Sequence, residues 1–139
     1  MADVKVEIVS PERLLVSETA QSVTVPGSEG YFTVLGEHAP LMTTLKPGFI
    51  TAVVNGNSQV FFVRGGFADV APEGLTILAE EALPLAEFDP ALVDREIEAA
   101  EVKLAAASTL DEKSAATAVV DAWRNFKAEA QQMVAATPH

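Results

Sequence analysis

Few residues in this chain of 139 have the type and spacing for chemistry. The most suggestive run is Pro26-Gly27-Ser28-Glu29-Gly30. A glycine-rich loop cradles phosphate when it ends in Gly-Lys-Ser or Gly-Lys-Thr and opens a helix. Neither feature is present, so the run reads as a structural or contact loop. His38 is the one internal histidine, and His139 is terminal. A metal centre needs three or four ligands, commonly spaced His or Cys. Cysteine is absent, so neither a metal site nor a thiolate nucleophile is expected, and no disulfide framework. A catalytic His38 would need a nucleophile and an orienting acid. Ser28 and Glu37 lie close by in sequence, but adjacency is not geometry, and His38 reads as a hydrogen-bonded structural residue.

Carboxylates are plentiful, with 20 Asp and Glu against 9 Lys and Arg and a net charge of −11. Glu80-Glu81 could suggest a paired acid and base. Neighbours on a strand point to opposite faces, so the two are not expected to share a site. The run Asp94, Glu96, Glu98 and Glu101 reads as a solvated helix face. So strong a negative charge disfavours a nucleic acid or an anionic lipid surface as partner. Met1 to Glu7 hold no apolar core of a secretory signal. No apolar run approaches the roughly 20 residues that span a bilayer, so no direct lipid insertion is expected.

The elements that must carry these residues fall into two grammars. Val4, Val6 and Ile8 alternate with Lys5 and Glu7, a strand period. Leu14 to Val25 is rich in Val, Thr and Ser. The runs Phe49 to Val54 and Gln59 to Val63 are joined by Asn55-Gly56-Asn57, a tight hairpin signal because Asn-Gly tolerates positive φ. Leu75, Ile77 and Leu78 suggest another strand, and Gly65-Gly66-Phe67 a bulge or close backbone approach. All eight glycines precede residue 85, and chain broken so often favours a sandwich or barrel.

Past Pro84 the period becomes helical. Asp89-Pro90 reads as an N-cap followed by a first-turn proline. Val93, Ile97, Ala100 and Leu104 form one stripe; Val119, Trp123, Phe126, Ala130 and Met133 form another. Ser108-Thr109-Leu110-Asp111 approximates a capping box between them, and Pro138 stops the second stripe. So short a link predicts antiparallel helices. The expected organisation is a mixed fold: an antiparallel β-sandwich over residues 1–86, then a two-helix hairpin over 87–139, thinly packed because alanine buries little area.

Several ordered segments resemble the epsilon subunit of bacterial F-type ATP synthases, called delta in mitochondria. They are Val9-Ser10-Pro11, Val25-Pro26-Gly27-Ser28-Glu29-Gly30, Leu35-Gly36-Glu37-His38-Ala39-Pro40-Leu41, Leu45-Lys46-Pro47-Gly48 and Val63-Arg64-Gly65-Gly66-Phe67-Ala68-Asp69-Val70. The resemblance implies a sandwich of about ten strands and a helical hairpin. It also implies a role: a non-catalytic rotor subunit, peripheral on the cytoplasmic face of the bacterial inner membrane. Such a subunit holds gamma and the ring of c subunits, coupling proton-driven rotation to ATP synthesis in the catalytic head. By position Ser28, Glu29, Gly30 and Tyr31 match the loop facing the c ring. His38, Ala39 and Pro40 match an adjoining segment expected at the same end.

Two departures from the family pattern are expected to matter. In some relatives an Asp followed three residues later by Arg-Ala binds regulatory ATP; here Leu92 follows Asp89 at that spacing. Relatives whose hairpin reaches the alpha/beta head and blocks rotation use basic residues there. Here residues 89–107 carry five acids against Arg95 and Lys103, and 111–134 four against Lys113, Arg124 and Lys127. At most weak regulation of ATP hydrolysis follows. The alternatives are an ATP-sensing module acting through the hairpin, and a stand-alone glycan-binding sandwich. The latter is disfavoured by a sandwich half with no Trp and only Tyr31.

Overall fold

The computed structural model describes residues 3–36 and 38–136. The alternation at the start of the chain becomes strand β1, Val4–Val9, with Val4, Val6 and Ile8 buried. Nine more strands follow: β2 Leu14–Ala20, β3 Ser22–Gly27, β4 Gly30–Val34, β5 Leu41–Thr44, β6 Gly48–Val54, β7 Asn57–Arg64, β8 Phe67–Ala71, β9 Gly74–Leu78 and β10 Glu81–Pro84. They form two five-stranded sheets, ordered β2-β1-β9-β8-β5 and β10-β7-β6-β3-β4. The pairings are antiparallel except β1 with β9, which run parallel with Val6 beside Leu75 and Ile8 beside Ile77.

The run expected as one β-rich stretch, Leu14 to Val25, is two strands that switch sheets at Gln21. Gln21 anchors its corner: its Oε1 accepts the Gly56 N–H at 2.8 Å. Gly56 and Asn55 take φ of 79° and 52°, the two left-handed residues a two-residue hairpin turn demands. Pro84, read as marking the boundary, is the last residue of β10. It is tolerated there because β10 is an edge strand, where a missing donor breaks no interior ladder.

Inward residues of both sheets build one core. Val6, Ile8, Leu75, Ile77, Ala68 and Val70 meet Val23, Val25, Ile50, Ala52 and Val63. Burying a side chain such as Ile8 or Ile50 contributes about 1.5–3 kcal/mol over leaving it exposed. A one-residue slip of any central strand would turn its whole inward row to solvent, so this core fixes register.

The chain divides into two compact units between Glu87 and Phe88. The second holds helices α1, Ala91–Ala106, and α2, Leu110–Ala136. Asp89 Oδ1 accepts the Ala91 N–H at 2.9 Å and so satisfies a first-turn donor. The cap between the helices sits one residue later than its sequence signal. Thr109 Oγ1 accepts the Glu112 N–H at 3.1 Å, and Glu112 Oε2 accepts the Ser108 N–H at 3.4 Å. Thr109 and Glu112 therefore do the work expected of Ser108 and Asp111, because Glu reaches back where Asp is too short. The buried stripe of α2 is Val120, Trp123, Phe126 and Ala130, whereas Val119 is half exposed. Trp123 and Phe126 meet edge to face at 6.1 Å, and Phe88 adds a second such contact to Phe126 at 6.3 Å.

Asp94 pairs with Lys127 at 2.9 Å and Glu101 with Arg124 at 2.9 Å. Numbers rising along α1 and falling along α2 make the helices antiparallel. They also amend the reading of the acidic run, since two of its four carboxylates pair across the hairpin. Single-helix spacing could not show that, because the partners lie 23 or more residues away.

Candidate functional site

The β3–β4 turn is held from the neighbouring sheet. Thr43 Oγ1 donates to the Thr44 carbonyl at 3.1 Å and accepts the Ser28 N–H at 3.3 Å. Its proton being used, it also accepts the Ser28 hydroxyl at 3.0 Å. Lys46 N–H donates to the Pro26 carbonyl at 3.0 Å, and Gly27 bridges Leu45. Ser28, Glu29 and Gly30 stay exposed on this braced tip. Tyr31 exposes its ring while its hydroxyl accepts the Phe49 N–H at 3.0 Å.

His38, Ala39 and Pro40 do not share that end. Gly30 opens β4 opposite Gly27, and Val34 closes it opposite Val23. The segment 35–40 leaves the far end of β4 and crosses to the other sheet, where Leu41 pairs with Val70. The expectation of one contiguous patch is corrected: a five-residue strand of about 3.3 Å per residue separates the two groups. Closeness in sequence misled because the intervening residues are extended. His38 is hydrogen-bonded through both ring nitrogens, to Leu35 and Ala71 carbonyls. Ser28 is committed to Thr43 at the other end, so Ser28 and His38 form no pair. Glu37, Pro138 and His139 lie outside the described residues.

Glu80 and Glu81, expected to diverge, converge on Arg64, at 3.3 and 4.0 Å from its guanidinium. Glu80 lies in a bend before β10, where strand alternation does not apply. Its carboxylate lies over Gly65, whose φ is 66°. Gly66, at φ 92°, is the close backbone approach the motif suggested: a Cβ there would overlap the Leu78 carbonyl oxygen.

One feature escaped the sequence reading. Val9, Leu78, Phe67 and Thr44 stand in register across β1, β9, β8 and β5. They lie on the face opposite the core row of Ile8, Ile77 and Ala68. Phe67 is 39 % and Leu78 41 % exposed, and Met42, two residues before Thr44 on the same face, is 64 % exposed. A shallow groove of about 580 Å³ runs alongside, between Pro11, Gly66, Phe67 and Leu78. Apolar side chains gathered on one exposed face mark an interaction surface more than single exposed residues do. The signal was the apolar residue at the polar phase of each strand, visible only once the strands are aligned. Among the described residues no group of three or more His, Asp or Glu could hold a metal ion, and no helix is long and apolar enough to cross a membrane.

A two-sheet sandwich with an exposed apolar row on one face and a braced turn at one end, followed by a helical hairpin, defines the class: a two-unit β-sandwich and helical-hairpin protein. The description of the ATP synthase delta/epsilon chain β-sandwich domain matches residues 3–85. The ATP synthase epsilon chain of Brucella anthropi is 47 % identical over 111 residues, 79 % of this chain and 82 % of the relative. That of Sinorhizobium medicae is 49 % identical over 108 residues, 77 % and 79 % of the two chains. That of Parvibaculum lavamentivorans is 47 % identical over 116 residues, 83 % and 88 %. The fold matches a chain in a cryo-EM structure of the Euglena gracilis mitochondrial ATP synthase OSCP/F1/c-ring, with TM-score 0.69, 23 % identity and coverage of 93 % of this chain and 82 % of that one. A chain in the Tetrahymena thermophila central stalk/c-ring structure matches with TM-score 0.59, 18 % identity and coverage of 88 % and 95 %. The chain belongs to the ATP synthase delta/epsilon chain family.

Proposed function

We propose that this chain is a non-catalytic central-stalk subunit of a proton-translocating F-type ATP synthase, peripheral on the cytoplasmic face of a bacterial inner membrane. It links the ring of c subunits to gamma, so that ring rotation is transmitted to the catalytic head. The observation that carries the reading is the in-register apolar row Val9, Leu78 and Phe67, with Met42 beside it, in a member of this family. That face suits gamma, a partner that must grip without slipping, because apolar contact gives area and interdigitated packing gives stiffness. The braced tip of Ser28, Glu29, Gly30 and Tyr31 suits the polar loops of the ring. Tyr31 offers an aromatic face there while its hydroxyl is held internally. His38, Ala39 and Pro40, at the other end of β4, belong with the gamma contact, because they lead directly into β5, which carries Met42 beside the apolar row.

Tagged full-length chain is expected to co-purify with gamma and the catalytic subunits. Met42→Glu with Phe67→Glu is expected to abolish that capture while leaving the melting temperature nearly unchanged, since both residues are exposed. Recovery of the wild-type chain free of gamma, or full capture by the double variant, would overturn the reading.

A further inference from the structure

We propose that His38 is held as a doubly protonated imidazolium that clasps the β4–β5 crossover to the end of β8, making this end of the sandwich loosen as pH rises. Nδ1 lies 2.7 Å from the Leu35 carbonyl oxygen and Nε2 2.5 Å from the Ala71 carbonyl oxygen. A carbonyl oxygen only accepts. A neutral imidazole carries one N–H and one lone pair, so either neutral tautomer would aim a ring lone pair at one of these oxygens. The imidazolium donates to both. Leu35 belongs to the crossover itself, whereas Ala71 is 33 residues away on the other sheet. One side chain therefore joins the passage from sheet to sheet to the strand it passes. Beside the ring is a pocket of about 240 Å³ bounded by Phe32, Val34, Leu41 and Val70. Release of the clasp uncovers that edge of the core.

No charged group of the described residues is among the causes that raise the pKa of His38. β4 and β5 carry no ionisable side chain besides Tyr31 at the far end of β4. Asp69 on β8 alternates to the face opposite Val70, in register with Met42 and Thr76. Glu73 in the β8–β9 turn is exposed to solvent. The pKa of His38 is raised by the carbonyls of Ala71, then Leu35, then Gly36, against partial desolvation. A raised histidine stabilises the fold fully below its unfolded value of about 6.5, and that contribution is lost as pH rises through the folded value. The clasp concerns the chain alone and does not depend on the stalk reading.

The test is nitrogen NMR of the imidazoles in the full chain, with His139→Gln to assign the two histidines. At pH 6 both His38 ring nitrogens are expected to be protonated, and His38 is expected to titrate above the ordinary histidine value of about 6.5. Amide protection around Leu41 and Val70, corrected for intrinsic exchange, is expected to fall through the same pH range. His38→Gln is expected to lose protection at all pH values, and Glu37→Gln to leave the raised titration in place. A neutral His38 at pH 6, a titration at or below the ordinary histidine value, or disappearance of the shift in Glu37→Gln would overturn the proposal. The wild-type titration decides the matter even if His38→Gln fails to fold.

Discussion

The Tyr31 hydroxyl accepts the Phe49 N–H at 3.0 Å, tying β4 to β6 across the intervening strand β3. The β3–β6 register ends at Thr24 and Thr51, so Phe49 lies past the ladder and takes a side-chain acceptor. Gly48 makes room: a Cβ there would lie 2.6 Å from Pro26 Cβ and 2.7 Å from the Tyr31 oxygen. Tyr31→Phe removes the acceptor and keeps the ring. A cost of about 0.5–1.5 kcal/mol is expected, or a melting midpoint lower by several degrees. Capture of the c ring should survive if the ring face makes that contact.

Two glycines of positive φ should respond differently to alanine. At Gly56 a Cβ meets open space, so Gly56→Ala should cost only the left-handed backbone penalty, about 1–2 kcal/mol. At Gly66 the Cβ runs into the backbone of Leu78 and Ala79, which cannot withdraw without parting β8 from β9. Gly66→Ala should cost more than about 3 kcal/mol, near the limit of what a domain of this size tolerates. Urea titration of both variants checks the order, and equal midpoints would refute the argument.

The hairpin should depend on its aromatic contacts far more than on its ion pairs. Asp94, Lys127, Glu101 and Arg124 are all roughly half exposed, so each pair contributes about 0.2–1 kcal/mol and fades with salt. Trp123→Ala empties a buried site and should cost about 3–5 kcal/mol. Helical circular dichroism on heating, at low and high salt, separates the two. Arg124→Ala should show a small, salt-sensitive shift and Trp123→Ala a large, salt-insensitive one.

Deletion of residues 88–139 should leave ATP hydrolysis by the assembled head nearly unchanged. The two helical segments are net acidic, and Arg124 and Lys127 are already engaged by Glu101 and Asp94. Few cations then remain to draw the hairpin toward an acidic surface. A several-fold rise in hydrolysis on deletion would show that the tail restrains rotation after all.

Local patterns carried much of this fold in plain view. Val4, Val6 and Ile8 announced a strand with one buried face, Asn55-Gly56 a hairpin turn, and Asp89-Pro90 a helix start. Each depends on residues within a few positions of one another, where steric and hydrogen-bonding preferences act directly. The signal blurred where two candidates for one job stood side by side. Thr109, not Ser108, caps α2, and Val120, not Val119, faces inward. A choice between neighbours is settled by reach and by packing against another helix.

The sequence alone determined the order of elements, the two compositional halves, and the segments that carry the family likeness. These follow from periodicity and turn chemistry, which are properties of short stretches of chain. Only the tertiary structure decided that Glu80 and Glu81 meet at Arg64, that His38 sits at the opposite end of β4 from Ser28, and that Val9, Leu78 and Phe67 line up in one row on the face away from the core. Those relations join residues tens of positions apart, and strand order and register place them side by side. No local preference encodes that order; it is set by which rows of apolar side chains can be buried together.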